Sequence, residues 1–453
     1  MISELPRLAE RMGLGNRRQV AITSALFIVF FVAFNKEVHF WILGLYLPNS
    51  VDTPSLVSFL GSFQLDSDQL VVDRLRQNQL AGVFSAGMQL GVDGAYTSQF
   101  GLSGWLLALI PSLLNLPDPA QLWLMYSAVA AFSAVFATGA VRLSRGALSP
   151  GASAMVAIAL LQPWSVAMAG SLYWMIGVKL LPSAMLLILL SSRRESVARI
   201  ITVSFAFSSL AFLSGYEFLT VVAATQFAVV TYFAVLREAR VRAAALSIVS
   251  VAFGLGSAFM FAISIHFIQL YVRLGDLGLA VTTLETVITK RTGVTGTQVD
   301  AVYAQSLAAY PSQVLDIYLG MPVFGAPLTL PVLHYFTMLT LLPVCAVLIV
   351  VGFRGKRPGA AATASRALGV AWFVALLGPL GWFLLARPHS FIHTHINFSL
   401  WFFPIVPLGL ALLWDPIRGG MVGLRARPLA FLAISGSMVL LLLMYGASLM
   451  MVR

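Results

Sequence analysis

The sequence predicts an all-α fold, a polytopic transmembrane helical bundle of about eleven spans with juxtamembrane helices in its first extracytoplasmic loop. Three observations lead there. Of 453 residues, 59% are hydrophobic and only 10% charged, with a mean hydropathy of +0.89, whereas a soluble globular chain carries about 25% charged residues. Apolar runs long enough to cross a bilayer follow one another along most of the chain. Basic residues collect in alternate connections, as orientation by positive charge requires.

The elements follow in order. Arg7, Arg11, Arg17 and Arg18 precede the first apolar run, which has no small-residue cleavage site and reads as a retained span with a cytoplasmic N-terminus. Spans fall near 20–40, 119–141, 151–169, 172–191, 198–214, 218–236, 243–270, 327–352, 366–386, 397–414 and 429–450. The stretch 100–114 is apolar but short and contains Pro111, so it reads as an interfacial or re-entrant helix. Leaving it out puts 19 of the 28 basic residues and 5 of the 17 acidic ones on the cytoplasmic side; counting it as a span turns the RLSR, SSRR, REARVR and RGKR clusters outward. Residues 1–453 thus form a single transmembrane domain with two long extracytoplasmic loops, 41–118 and 271–326, and long loops of ordinary complexity usually carry function.

Several function classes drop out. Topology accounts for the net charge of +11, so a nucleic-acid partner is not needed. No P-loop pattern is present, and GLGNRR at 13–18 lacks the setting of a dinucleotide site. The single cysteine, Cys345, lies in an apolar run and gives neither a disulfide framework nor a thiolate metal site. No repeat at a fixed period and no inverted symmetry of spans points to a secondary transporter.

What chemistry remains lies on the extracytoplasmic side. Residues 66–82 read as an amphipathic helix on the bilayer, with Asp66 and Asp68 at its N-terminal end, where the helix dipole favours an ionised carboxylate suited to act as a general base; N-capping is the plainer role. Tyr96 and Gln99 precede the interfacial helix; Tyr96 and Trp105 suit interfacial anchoring, while Gln99 between them, near a carboxylate, also suits hydrogen bonding to sugar hydroxyls. Tyr216 and Glu217 occupy a tight hairpin between two spans, where an ionisable group needs a wet cavity or a partner. Lys179, seven residues into a span, must snorkel or pair with an anion such as a lipid phosphate.

The segment RPHSFIHTH brings together Arg387, His389, His393 and His395. Binding of an anionic phosphate is favoured there over ligation of a metal by His389 and His393, since no HExxH pattern accompanies them. His266 and His334 read as packing histidines, and Lys290 and Arg291 as charges of a solvated loop or lid.

An acidic residue opening a juxtamembrane helix after the first span (Asp66-Ser67-Asp68), a tyrosine-containing segment, a non-spanning apolar helix (Tyr96 to Leu114) and then many spans resemble the GT-C superfamily of integral-membrane glycosyltransferases. The resemblance covers mainly residues 20–240. It implies a GT-C-like fold, a polyprenyl-phosphate-linked sugar donor, a glycan or lipid-linked acceptor, and membrane lipids as surroundings. It further implies that Asp68 or Asp66 is the general base, that Lys179, Arg387 and His389 contact the donor phosphate, and that Tyr96, Gln99, Tyr216, Glu217, His393 and His395 support the substrates. The sequence departs from the family where Gln69 follows the aspartate, in place of a second acid, and in lacking a large domain after the last span.

The expected reaction is an inverting displacement at the anomeric carbon that requires no cofactor; side-chain cations suffice to neutralise the phosphate, and a divalent metal is the less favoured option. The expected location is a bacterial cytoplasmic membrane with the site facing outward. A transporter or flippase, or a ligase or polymerase of lipid-linked sugars, is the alternative.

Overall fold

The computed structural model describes residues 17–36, 68–78, 97–147, 150–161, 163–193, 195–292, 309–320, 337–354, 360–393 and 398–418. Among them the chain is helical and contains no β-strand. Asp66, Tyr96, His334, His395 and the expected span at 429–450 lie outside the described residues.

Among the described residues four helices are long and apolar enough to cross a membrane: Pro119–Arg145, Leu219–Leu236, Val241–Leu274 and Thr363–Leu385. Shorter apolar helices accompany them, and together they make a membrane protein. We number the helices α1 Arg17–Phe34, α2 68–78, α3 Leu102–Leu114, α4 Asp118–Ala147, α5 Pro150–Leu161, α6 Pro163–Ala169, α7 Ile176–Ser191, α8 Val197–Leu213, α9 Leu219–Leu236 and α10 Val241–Leu274. They continue with α11 Leu277–Thr292, α12 Pro311–Leu319, α13 Met338–Arg354, α14 Ala360–Leu385, α15 Arg387–Ile392 and α16 Ile405–Arg418.

Two of the expected spans are interrupted. The apolar run 151–169 is split between α5 and α6, where Pro163 opens the second helix and cannot donate a backbone hydrogen bond. The run 397–414 begins as a 3-10 turn at Phe398–Phe402 and continues, after Pro404, as α16. By contrast α3 keeps the short form expected of it: 13 residues rise about 20 Å, less than a hydrocarbon core of roughly 30 Å. Its one face is buried through Trp105, Leu107 and Ala108, while Leu106, Ile110 and Leu113 are exposed. Trp105 is therefore packed inside the protein, not an interfacial anchor.

The contacts between described residues give the bundle two chemically different ends. At one, α4, α7 and α9 finish and the connections carry Arg145, Arg193, Arg237, Arg240 and Arg242. At the other lie Lys36, the 170–175 segment, the 214–218 turn and α15. The core contacts are helix on helix, α9 against α14 and α8 against α10, and both rely on small residues. A Cβ on Gly254 of α10 would come within 2.7 Å of Ser204 Cβ and 2.9 Å of the Ile201 carbonyl on α8. Likewise one on Gly378 of α14 would lie 3.0 Å from the Val221 Cα on α9.

The described parts of the second long loop are mostly helical. Both of its described helices dock at the end opposite the arginines: α11 packs on α10 and α15, and α12 packs on α14. Tyr318 of α12 stacks on Phe383, ring centroids 3.7 Å apart, and donates its hydroxyl proton to the Ser390 carbonyl at 2.6 Å.

Candidate functional site

Helix α2 buries Asp68, Val71, Arg74, Leu75 and Asn78, the i, i+3, i+4 pattern of a single helical face. It is thus packed against the bundle along one side, and Asp68 at its N-terminal end is carried inward to 2% exposure. A carboxylate that deep needs partners for both oxygens. Oδ1 accepts from the Ser171 hydroxyl at 2.6 Å and the Tyr173 backbone N–H at 3.2 Å. Oδ2 accepts from the Lys36 ammonium and lies 3.4 Å from the Tyr126 hydroxyl. Lys36 also sits 4.8 Å from the Tyr126 ring centre and remains partly exposed.

The chain meets there for a local reason. Gly170 ends α6 with its Cα so close to the end of α1 that a Cβ would approach the Phe34 carbonyl to 2.4 Å. Only glycine permits that approach. It brings Lys36, just past α1, beside Ser171 and Tyr173.

Tyr173 is the bridge to a second carboxylate. With the Gln99 amide oriented to satisfy its neighbours, its oxygen accepts from the Tyr173 hydroxyl at 2.7 Å, and its nitrogen donates to Glu217 at 2.8 and 3.0 Å. Glu217 also receives the Arg291 guanidinium at 3.2 Å and is 3% exposed. The turn holding it depends on Gly215, whose φ of +142° disfavours any side chain and whose Cβ position would lie 2.5 Å from the Gln99 amide.

Lys179 lies beneath. Its ammonium donates to the Ala211 carbonyl at 2.8 Å and the Gly215 carbonyl at 2.9 Å, so it caps the C-terminal end of α8 and fixes the turn bearing Glu217. Expected from sequence to contact a donor phosphate, Lys179 here meets these backbone acceptors at 3% exposure.

His266, read from sequence as packing, belongs to the same cluster. Its Nε2 lies 3.1 Å from the Thr97 carbonyl, an acceptor only, so Nε2 carries the proton and Nδ1 accepts from the Tyr216 hydroxyl at 3.3 Å. Burial raises the Tyr216 phenol above its usual pKa, against the pull of Arg291 and with the push of Glu217. This hydroxyl stays protonated.

Beyond Arg291 comes the histidine segment. The rings of His389 and His393 are 4.6 Å apart, and α15 packs on α11, which carries Arg291. Burial first, then the positive charges of Arg291 and His393, hold the His389 pKa well below the ordinary imidazole value. Arg387 opens α15. No group of three or more His, Cys, Asp or Glu suited to a metal is found among the described residues.

The structure therefore brings Asp68, Gln99, Lys179, Tyr216, Glu217, Arg387, His389 and His393 to one end of the bundle. Lys36, Ser171, Tyr173 and Arg291, the partners of the two carboxylates, carry no signal in the sequence that ties them to Asp68 or Glu217. The carboxylates were expected in a wet pocket; they are buried, and Lys36 is the partly exposed member at Asp68. No family model, no curated protein and no solved structure matches this chain.

Proposed function

We propose that the chain is a membrane glycosyltransferase of GT-C type, which moves a sugar from a polyprenyl phosphate to an extracytoplasmic glycan or lipid-linked acceptor. The observation that carries this reading is the Tyr173 bridge. Its backbone holds Asp68 and its hydroxyl reaches the Gln99–Glu217–Arg291 group, so that two buried carboxylates and their cations form one connected unit.

Within that reading Asp68 is the general base, and the two carboxylate oxygens divide the work. Oδ1 is fixed by Ser171 and the Tyr173 N–H and sets orientation. Oδ2 faces Lys36 and Tyr126, the side with an exposed member, and is the oxygen an acceptor hydroxyl reaches by displacing one of them. As that hydroxyl gives its proton to Asp68, its oxygen attacks the anomeric carbon, and the bond from that carbon to the lipid phosphate oxygen breaks with the electron pair leaving on the phosphate. In this reading Arg387 neutralises that charge and the neutral His389 donates a hydrogen bond to it beside His393, with Lys179 as a positioning residue for the Glu217 turn. The anomeric configuration inverts.

The basic end is cytoplasmic by the positive-inside rule, which turns the carboxylate end outward in a bacterial cytoplasmic membrane. Nothing in this scheme routes through a metal or cofactor.

The test is transfer from a panel of radiolabelled polyprenyl-phosphate sugars by the purified protein in nanodiscs. Wild type is expected to form a covalent product, and Asp68→Asn, checked by circular dichroism to be folded at the assay temperature, to lose roughly 10²–10⁴-fold in rate, the usual contribution of a positioned base. Full activity in Asp68→Asn overturns the assignment. Movement of lipid-linked sugar across proteoliposomes without any covalent product makes the protein a transporter instead.

A further inference from the structure

At the arginine-bearing end a cavity of about 540 Å³ opens between the turn after α7 and the end of α9, lined by Ser191, Arg193, Glu195, Phe233, Leu236 and Arg237. It lies at the opposite end of the bundle from Asp68 and Glu217 and has no part in the chemistry above. Its contents are unusually ordered in charge. Arg237 is fully engaged: one guanidinium nitrogen pairs with Glu195, another donates to the Leu190 carbonyl, and its carbon lies 4.9 Å from the Phe233 ring centre. Arg193, in contrast, is exposed, and its guanidinium forms no ion pair among the described residues. Its backbone is left-handed, φ +56°, which turns it out of the helical path at the point where α7 stops. Glu195 keeps its second oxygen, Oε2, buried without a hydrogen-bond partner among the described residues.

A ligand that satisfies this arrangement needs an anionic group for Arg193, a hydrogen-bond donor for Glu195 Oε2, and an apolar portion for Phe233 and Leu236. We propose that the cavity binds a phospholipid headgroup, its phosphodiester on Arg193, its ammonium or hydroxyl donor on Glu195, and its glycerol end against Phe233 and Leu236. Position agrees with this chemistry. The cavity lies at helix ends, at the level where headgroups meet a membrane protein, and basic pockets between membrane helices are established places for them. The N-termini of α8 and α10 open at the same end, with Arg199, Arg240 and Arg242 on them, and reinforce the attraction for phosphate. The inference is independent of the transferase reading.

The experiment is native mass spectrometry of the full chain released from detergent, with phosphatidylethanolamine, phosphatidylglycerol or inorganic phosphate as the added probe. Arg193→Asn keeps a residue tolerant of the left-handed backbone, and Arg145→Ala removes an exposed arginine elsewhere at the same end. Wild type is expected to retain one phospholipid, and Arg193→Asn to lose that adduct by about tenfold, the size of one charge-assisted hydrogen bond. Arg145→Ala is expected to keep it. A stronger adduct with phosphatidylethanolamine than with phosphatidylglycerol assigns Glu195 Oε2 to the ammonium; the reverse order assigns it to a hydroxyl, and both sustain the proposal. Equal adducts in Arg193→Asn and wild type, equal loss in Arg145→Ala, or retention of inorganic phosphate but neither lipid overturns it.

Discussion

The buried Asp68, Glu217 and Lys179 are each accounted for by their neighbours. Asp68 has four donors for its two oxygens, Glu217 has Arg291 and the Gln99 amide, and Lys179 has two carbonyls. His389 is the exception that yields a prediction. Burial, Arg291 and His393 all disfavour its charged form, so its folded-state pKa lies below that of the unfolded chain, about 6.5. Above that value both states are neutral there and the group leaves stability unchanged. As pH falls through it, the unfolded chain takes up a proton that the folded one refuses, and stability is lost. Thermal unfolding should therefore be flat above neutrality and fall between pH 6.5 and 5, on the order of the interval where histidine titrates. His389→Asn should flatten that fall; an unchanged slope in the variant contradicts the assignment. Much of this scale was legible in the sequence, because an acid or a lysine in an apolar setting stands out. Lys179 and Glu217 stand out in that way, and Asp68 by opening an amphipathic helix. Their partners do not. Lys36 is 32 residues from Asp68, Tyr173 is 105 away, and Arg291 is 74 from Glu217; such separations leave no periodic signal, and tyrosine or serine beside a membrane attracts no notice.

Helices here are placed by what they leave out as much as by what they bury. Gly254 permits α8 and α10 to approach until a Cβ would meet Ser204 and the Ile201 carbonyl, while Gly256, one turn-fraction further along α10, faces nothing within 4 Å. The same substitution should thus act with opposite sign at the two sites. In a helix, glycine to alanine is worth about 1 kcal/mol through backbone entropy, so Gly256→Ala should raise the unfolding temperature. Gly254→Ala should lower it, because backbone on α8 cannot yield as a flexible side chain can. Two increases would show that α8 and α10 are not in close contact. Apolar runs predicted most helices, since hydrophobicity over a bilayer's width is a strong signal. They did not predict the break at Pro163 between α5 and α6 or the 3-10 start at Phe398, where proline and local packing decide. Nor did they predict that α11, in a loop read as solvated, delivers Arg291 to Glu217.

The described residues together have a charge axis. Arginines gather at one end, where Arg193 faces a cavity, and the buried carboxylates gather at the other, where α1, α2, α6, the 214–218 turn, α11 and α15 converge. A transferase using a lipid phosphate needs this separation, with the base and the phosphate-binding cations together on the end away from the topogenic arginines. The most direct measurement is an electron cryo-microscopy structure of the protein in nanodiscs with a polyprenyl phosphate bound. The phosphate is expected at the Asp68–Glu217 end, within hydrogen-bonding reach of Arg387 or His389. A phosphate held at the arginine-bearing end, with Asp68 and Glu217 sealed from it by the bundle, would contradict the account.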